Sequence, residues 1–266
     1  PSSKALTDTE LRAARESLPT VTSPGAELAE SDLAALHTAM ACHTPDTALR
    51  GARALALLGD TRALGALLQL SREPSASLRG EAAAALRALE DPRARKRLVW
   101  MLDDADAAVR AAALDAYARF QGTSPLDVAE ATLRASHEDI RARGLDQLVK
   151  LGASEATDAL LADAIEDESA KVRGEAFRAL WAWHDKAPQG ALDRALAARF
   201  PDLRLRAVLE LTVLGAEPWA LARLRAAIGD RDEQVALAAH AAVVKLAGES
   251  DAEAHVAGYA LHNDYS

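Results

Sequence analysis

An arginine recurs about once every 31 residues, and this row of guanidinium groups is the most direct chemical signal in the sequence. Its members are Arg79, Arg110, Arg141, Arg173 and Arg204, and an acidic residue stands upstream of each: Glu73, Asp104, Glu138, Glu168 and Asp202. Such a row could bind phosphates. Because an acidic residue recurs with each arginine, the pattern instead favours a structural ladder of arginine–carboxylate hydrogen bonds between neighbouring turns. We therefore predict a structural role for these arginines.

A second group of residues has the composition of a protein-binding hot spot. Trp181 lies two residues before Trp183, which the helical pattern places in the core, so the Trp181 ring should point away from that core. Leucines off the core pattern and flanking arginines accompany it, as at many interfaces. An alternative left equally open is that Trp181 packs under the loop of an adjacent repeat. The predicted protein-binding residues are Trp181, Arg178, Leu205, Leu209, Arg206 and Arg143.

Motifs for catalysis and for metal binding are missing from the sequence. It contains no GxGxxG, GxxxxGK[ST], GxSxG, HExxH or CxxC pattern. His37, Cys42 and His43 are spaced so that they do not share one helix face, which favours a core or capping role over a metal site. We expect no catalytic residue, no cofactor and no metal, and hence a protein that is not an enzyme.

The composition indicates an all-α chain. Among 266 residues there are 64 Ala and 40 Leu but only 15 Val and Ile combined, which favours helices over a large sheet. The net charge of −9 argues against a dedicated nucleic-acid or anionic-membrane binder. A single cysteine, Cys42, fits a reducing compartment, and no apolar run reaches the roughly 20 residues of a membrane span. We expect a cytoplasmic protein, one domain or subunit of something larger.

Helical positions repeat with a period of 31 or 32 residues. Each repeat opens on a mostly apolar residue, followed four positions later by a small residue and eight positions later by a large apolar one. A large apolar closing residue, such as Leu151 or Trp183, follows at eleven positions, and all these offsets lie on one face of a helix. The opening residues are Thr47, Leu78, Val109, Ile140, Val172, Leu203 and Val235. The pattern thus predicts seven such second helices.

Local signals mark the ends of these helices and the shorter helices between them. Residues able to cap a helix, such as Asp106 and Ser169, stand three positions before the opening residues, and glycines follow the far ends. Shorter first helices are predicted before each second helix, with an eighth, unpaired one at 251–263. Residues 1–30 are predicted to form an N-terminal helix at about 8–18 and a linker, and residues 31–266 a continuous solenoid.

This pattern resembles the HEAT-repeat family, and especially its short bacterial form, the phycobilin-lyase-like HEAT repeats. The segments that carry the resemblance are DAAVRAAALDAYARF, EDIRARGLDQLVKLG, ESAKVRGEAFRALWAW and SLRGEAAAALRALEDPRA. The resemblance implies a right-handed α-α superhelix of about seven two-helix repeats plus a terminal helix. It says little about activity, because unrelated functions share this scaffold. HEAT-like deoxyhypusine hydroxylases need several His-Glu dyads, whereas this chain has one, His137–Glu138.

Three functional hypotheses follow. The leading one is a non-enzymatic scaffold that binds a protein partner on the concave face of the solenoid, around Trp181. The second is nucleic-acid binding, as in HEAT-like DNA glycosylases, and the third is a pigment-lyase-like enzyme. Both signs of charge are interleaved at the outward positions of the second helices, for example at Arg87, Asp115 and Arg119, which speaks against a groove that tracks a nucleic-acid backbone. Neither the oligomeric state nor the partner's identity follows from the sequence.

Overall fold

The computed structural model describes residues 18–21, 23, 26–184 and 188–247, and the residues in these ranges form helices and connecting turns. The predicted helices at 8–18 and 251–263 lie almost wholly or wholly outside them. Two compact units divide the chain, residues 1–147 and 148–266. The boundary between the units falls within one helix, Glu138–Leu151.

Fourteen α-helices make up the described chain. Residues 1–147 contain α1 (Glu30–Met40), α2 (Pro45–Leu57), α3 (Ala63–Leu70), α4 (Ala76–Leu86), a 3₁₀ turn (Arg87–Leu89), α5 (Pro92–Met101), α6 (Ala107–Ala118), α7 (Pro125–Leu133) and the start of α8 (Glu138–Leu151). After α8 come α9 (Glu155–Ala164), α10 (Ala170–Trp183), α11 (Gln189–Ala197), α12 (Pro201–Leu214), α13 (Pro218–Ala227) and α14 (Glu233–Ala247). The all-α repeat architecture predicted from the sequence is confirmed.

Each unit is a stack of helical hairpins. In the first unit α1 packs on α2, α3 on α4 and α5 on α6, while the second helices α2, α4 and α6 pack on one another in order. In the second unit the hairpins are α9 with α10, α11 with α12 and α13 with α14, and α10, α12 and α14 form the corresponding row. A single hairpin cannot bury its apolar face, so stacking supplies the core.

The periodic positions are buried as predicted. All seven opening residues, all seven small residues and all seven large apolar residues eight positions on are buried. A Cβ on Gly51 would stand 2.6 Å from the backbone nitrogen of Met40, so this small position lets α1 and α2 approach closely. The predicted closing position is less uniform, because Leu151 is 41% exposed and Trp183 is only half-buried. The prediction that Trp183 is a core residue was therefore wrong.

Helix ends follow the sequence signals in most cases. Asp106 and Ser169 accept hydrogen bonds from free backbone N–H groups of α6 and α10. Thr44 and Ser75 make no such bond, contrary to expectation. Four glycines predicted as helix stops have positive φ, between 74° and 87°, a conformation in which a side chain would be strained: Gly59, Gly122, Gly152 and Gly215.

The arginine row forms a ladder between repeats, and two of the predicted acids, Asp104 and Asp202, take part in it by accepting from the arginine of the preceding repeat. Arg204 donates to both oxygens of Asp230, at 2.8 and 3.0 Å, and Asp230 lies 26 residues further on, at the end of the next hairpin's first helix. Arg79 binds Asp104 in the same bidentate way. Arg110 pairs with Asp139 and Arg173 with Asp202. The residues upstream instead offer backbone carbonyls: Arg204 also donates to the carbonyl oxygens of Ala198 and Arg199.

The arginines of the ladder shift the pKa values of the carboxylates that they bind. Hydrogen bonds from Arg79 hold the pKa of Asp104 below its usual value, although burial acts in the opposite direction. Burial also raises the pKa of Asp230, but hydrogen bonds from Arg204 and from the Asp232 backbone outweigh it, and the net shift is downward. Both carboxylates are therefore ionised at neutral pH, and each joins one hairpin to the next. The arginine row therefore holds neighbouring repeats together.

Candidate functional site

An apolar ridge runs along the outward side of α12 in the second unit. Leu205, Leu209 and Val213 are spaced four residues apart, so their side chains lie in one line about 12 Å long. Leu209 is 54% exposed and Val213 is 83% exposed, while Leu205 is half-buried. We call these three residues the apolar ridge. Large apolar side chains this exposed on adjacent turns are typical of a binding surface.

The helices beside α12 extend this surface. On α14, which packs against α12, Leu237 is 61% exposed. On α10, which contacts α12 from the other side, Trp181 is half-buried. Its ring centroid lies 6.1 Å from that of Phe177, with an angle of 49° between the rings, and Phe177 is buried. One side of the Trp181 ring is thus held by the core, and the rest reaches the surface.

Trp181 therefore matches neither sequence alternative fully. It is not the fully exposed ring of the hot-spot hypothesis, and it is not buried under a loop. Contact with Phe177 is the reason: Phe177 stands five positions after the opening residue, a position that is buried in five of the seven repeats and that the sequence analysis did not identify. At the end of α10, His184 Nε2 lies 3.0 Å from Asp158 Oδ2 on α9, which fastens the end of the helix that carries Trp181.

The predicted arginine rim is present, and its arginines have weak local partners. Arg178 Nη2 lies 3.7 Å from Glu175 Oε1, and Arg206 Nη2 lies 3.4 Å from Glu210 Oε1. The two arginine side chains are 61% and 46% exposed. Exposed pairs of this kind contribute between about 0 and 1 kcal/mol. Both guanidinium groups can thus exchange their glutamates for another carboxylate at little cost.

The six predicted residues divide between the two units. Trp181, Arg178, Leu205, Leu209 and Arg206 lie on α10 and α12, two second helices of the second unit that contact each other. Arg143 is exposed on α8 and belongs to residues 1–147. The described second unit thus brings together five of the six.

Four exposed apolar residues were missed by the sequence analysis: Val213, Leu237, Trp100 and Val149, the last of them 52% exposed on α8. Val213 and Leu237 stand ten and two positions after the opening residues of their helices, and both offsets point away from the core. Applying the repeat register to every position, rather than to the core alone, would have found them. Trp100 on α5 is 58% exposed, with Lys96 Nζ 5.4 Å from its ring centroid. It lies in a first helix, where no pattern had been assigned.

The basic cluster at 92–97 is largely neutralised within the fold. Arg93 pairs with Asp91 at 3.0 Å and Arg95 with Asp127 at 3.6 Å. Arg97 donates to the hydroxyl and to the carbonyl of Ser71 at the end of α3, each at 2.8 Å. Burial and the nearby charge of Arg72 lower the pKa of Arg97. This cluster stabilises hairpin contacts and helix ends, which leaves little of it for a phosphate backbone.

The possible metal ligands named from the sequence lie in α1 and in the turn that follows it. His37 lies on α1 with Nε2 3.0 Å from Asp60 Oδ2, while Cys42 and His43 lie in the turn that follows. Within the described ranges, no group of three His, Cys, Asp or Glu side chains is arranged to hold a metal ion. Among the helices of those same ranges, none is long and apolar enough to cross a membrane.

Comparison with known proteins gives one family match and several similar structures. A family model described as HEAT repeats matches residues 33–118 and 96–181, more than half of the chain. Human deoxyhypusine hydroxylase in complex with glycerol is 21% identical, with 88% of this chain and 95% of that chain covered and a TM-score of 0.34. The complex of CpcE and CpcF of phycocyanin lyase from Nostoc sp. PCC7120 is 18% identical, with 90% and 99% covered and a TM-score of 0.36. Curated protein sequences contain no match.

Proposed function

The chain belongs to the HEAT-repeat family, and on that premise we propose that it is a non-enzymatic, cytoplasmic scaffold that binds a protein partner through the second helices of its second unit. The observation that supports this most is the apolar ridge. Leu209 and Val213 expose large apolar surfaces on one line of α12, although the chain places most of its leucines in the core. Nothing in the cohesion of the hairpins requires apolar side chains there.

The contrast with the first unit strengthens the proposal. The residues six and ten positions after the opening residue are Leu209 and Val213 in α12, whereas in the α6 repeat they are Asp115 and Arg119. Those two side chains are exposed and pair with each other at 2.8 Å, a usual solvated arrangement. At the same positions α12 exposes an apolar pair. This favours a binding partner that covers the pair and excludes water from it.

Binding would combine an apolar centre with a polar rim. The partner's apolar side chains would cover the apolar ridge and the accessible part of Trp181, which Phe177 already holds in place. A preset aromatic ring loses little conformational entropy on binding. Arg178 and Arg206 would exchange their weak glutamate partners for carboxylates of the partner, which sets the register of the complex.

The test begins with affinity capture and mass spectrometry, followed by titration calorimetry with the purified partner. The variant Leu209→Ala with Val213→Ala should weaken binding by about 30-fold, as expected for hot-spot residues worth about 2 kcal/mol. Both side chains are exposed, so circular dichroism and thermal stability should not change.

Trp100→Ala serves as the matched control, since it removes an equally exposed aromatic side chain from the other unit. It should leave the affinity unchanged. Equal affinities for the wild-type chain and the Leu209/Val213 variant would refute the assignment of the binding surface to the apolar ridge.

A further inference from the structure

A segment of the chain itself lies against a second helix in the first unit. Leu18, Pro19, Thr20 and Val21 line a cleft of about 540 Å³. The other lining residues are Leu36 from α1 and Arg50, Arg53, Ala54 and Leu57 from α2. We call residues 18–21 the leader, and Leu36, Arg53, Ala54 and Leu57 the leader seat.

The leader seat occupies the register that the apolar ridge occupies in the second unit. Arg53 and Leu57 stand six and ten positions after Thr47, just as Leu209 and Val213 stand six and ten positions after Leu203. The same outward register of a second helix therefore carries exposed apolar residues in the second unit and adjoins the leader in the first.

Side chains hold the leader in place. Leu18 and Val21 are half-buried and pack against the core of the first unit, whereas Thr20 between them is exposed. Pro19 disfavours a helical conformation for Leu18 and so keeps this end of the leader extended. Below them the floor of the seat is apolar, since Leu36 is 0% exposed and Ala54 is 7% exposed.

Two features make the leader replaceable. The leader and its seat line a cleft that they do not fill, so a better-fitting segment could make additional contacts there. At the rim, Arg53 is 61% exposed and its Nη1 atom stands 4.0 Å from Glu81 Oε2, at the limit of an ion pair. A carboxylate on an incoming segment would therefore find an available guanidinium group.

We propose that the leader seat is a peptide-docking site, which the leader occupies in cis and which takes an extended segment of a partner protein of the type Leu-Pro-x-Val with a neighbouring acidic residue. The site lies in the first unit and the apolar ridge in the second. It therefore extends the interaction surface beyond the proposed function and is tested independently of it.

The experiment uses the full chain and a labelled synthetic peptide of residues 16–23, which contains Glu16 and the leader sequence. Fluorescence anisotropy is followed up to several millimolar protein, above the effective concentration of about 1 mM that a short tether gives to a segment in cis. The variant Leu18→Asp with Val21→Asp vacates the seat. It should bind the peptide at least about tenfold more tightly than the wild-type chain, whose seat is already occupied.

Control variants test whether the peptide binds at the leader seat and not elsewhere on the surface. Leu57→Asp, added to the vacated chain, should abolish binding of the peptide, whereas Leu209→Asp, in the matching face of the second unit, should leave it unchanged. A peptide with aspartates in place of its leucine and valine should not bind. The milder variant Leu18→Ala with Val21→Ala replaces the double aspartate variant if circular dichroism shows a loss of helix.

Two results would overturn the proposal. One is an absence of binding by a vacated chain that retains its helical circular dichroism. The other is binding that is equal in the wild-type and vacated chains or that persists with Leu57→Asp. Since none of these variants except Leu209→Asp touches the apolar ridge, failure here and failure of the proposed function give different patterns.

Discussion

Removal of the Asp230 carboxylate should destabilise the second unit far more than removal of an exposed carboxylate in a pair of similar geometry. Arg204 is 5% exposed at its side chain and Asp230 is 13% exposed, and two hydrogen bonds join them. In Asp230→Ala the guanidinium group stays buried without a counter-charge. Breaking a buried pair in this way costs about 3–5 kcal/mol.

The lower end of that range applies here. Arg204 Nη1 keeps its hydrogen bonds to the carbonyl oxygens of Ala198 and Arg199, each at 2.9 Å, so part of the guanidinium group remains satisfied. We expect a loss of about 3 kcal/mol. For a chain of this size, that corresponds to a decrease in melting temperature of roughly 6–12 °C.

The matched control is Asp115→Ala, which breaks the Arg119–Asp115 pair at 2.8 Å, where the side chains are 67% and 60% exposed. It should cost less than about 1 kcal/mol. Thermal denaturation followed by circular dichroism at neutral pH, with hydrogen exchange of α12 amides, measures both variants. The double variant Arg204→Met with Asp230→Ala should recover part of the loss, because no charge then remains buried.

Equal losses for Asp230→Ala and Asp115→Ala would refute the reasoning. They would mean that burial does not distinguish the ladder from an ordinary surface pair. No recovery in the double variant would instead mean that Asp230 acts mainly through its bond with the Asp232 backbone, which donates to it at 2.8 Å.

Two further predictions concern packing and pH. Gly51→Ala places a Cβ 2.6–2.7 Å from backbone atoms of α1 and should lower the free energy of unfolding by about 1–3 kcal/mol. Gly65→Ala, inside α3 with nothing within 4 Å of the new Cβ, should raise it by about 0.8–1 kcal/mol. Urea denaturation measures both variants, and a stabilising Gly51→Ala would contradict the close approach of α1 and α2. Because the folded-state pKa of Asp104 is lowered, its contribution is complete above the unfolded-state pKa of about 3.9 and is lost as the pH falls through the lower folded-state pKa. Asp104→Asn should therefore flatten the decline of the unfolding free energy below about pH 4, and an unchanged slope would refute the linkage.

The core could be predicted from the sequence because a helix turns by a fixed angle per residue. Once Val172, Ala176 and Leu180 are placed on one face, their burial follows, and the structure confirms it at every repeat. The same rule indicates that Leu209 points away from the core. The residue type likewise sufficed to predict where some helices end, as at Gly215, because the positive φ found there favours glycine.

Tertiary structure decided which groups meet across repeats. The partner of Arg204 is Asp230 and not the acid upstream of it, because stacking brings the end of the next hairpin's first helix, rather than the chain neighbour, to the guanidinium group. Trp181 is half-buried because Phe177, which is itself buried, lies under its ring. That the leader and α2 line one cleft brings together residues about 30 positions apart in sequence. Periodicity within one helix carries no information on such contacts, since they depend on how neighbouring segments pack.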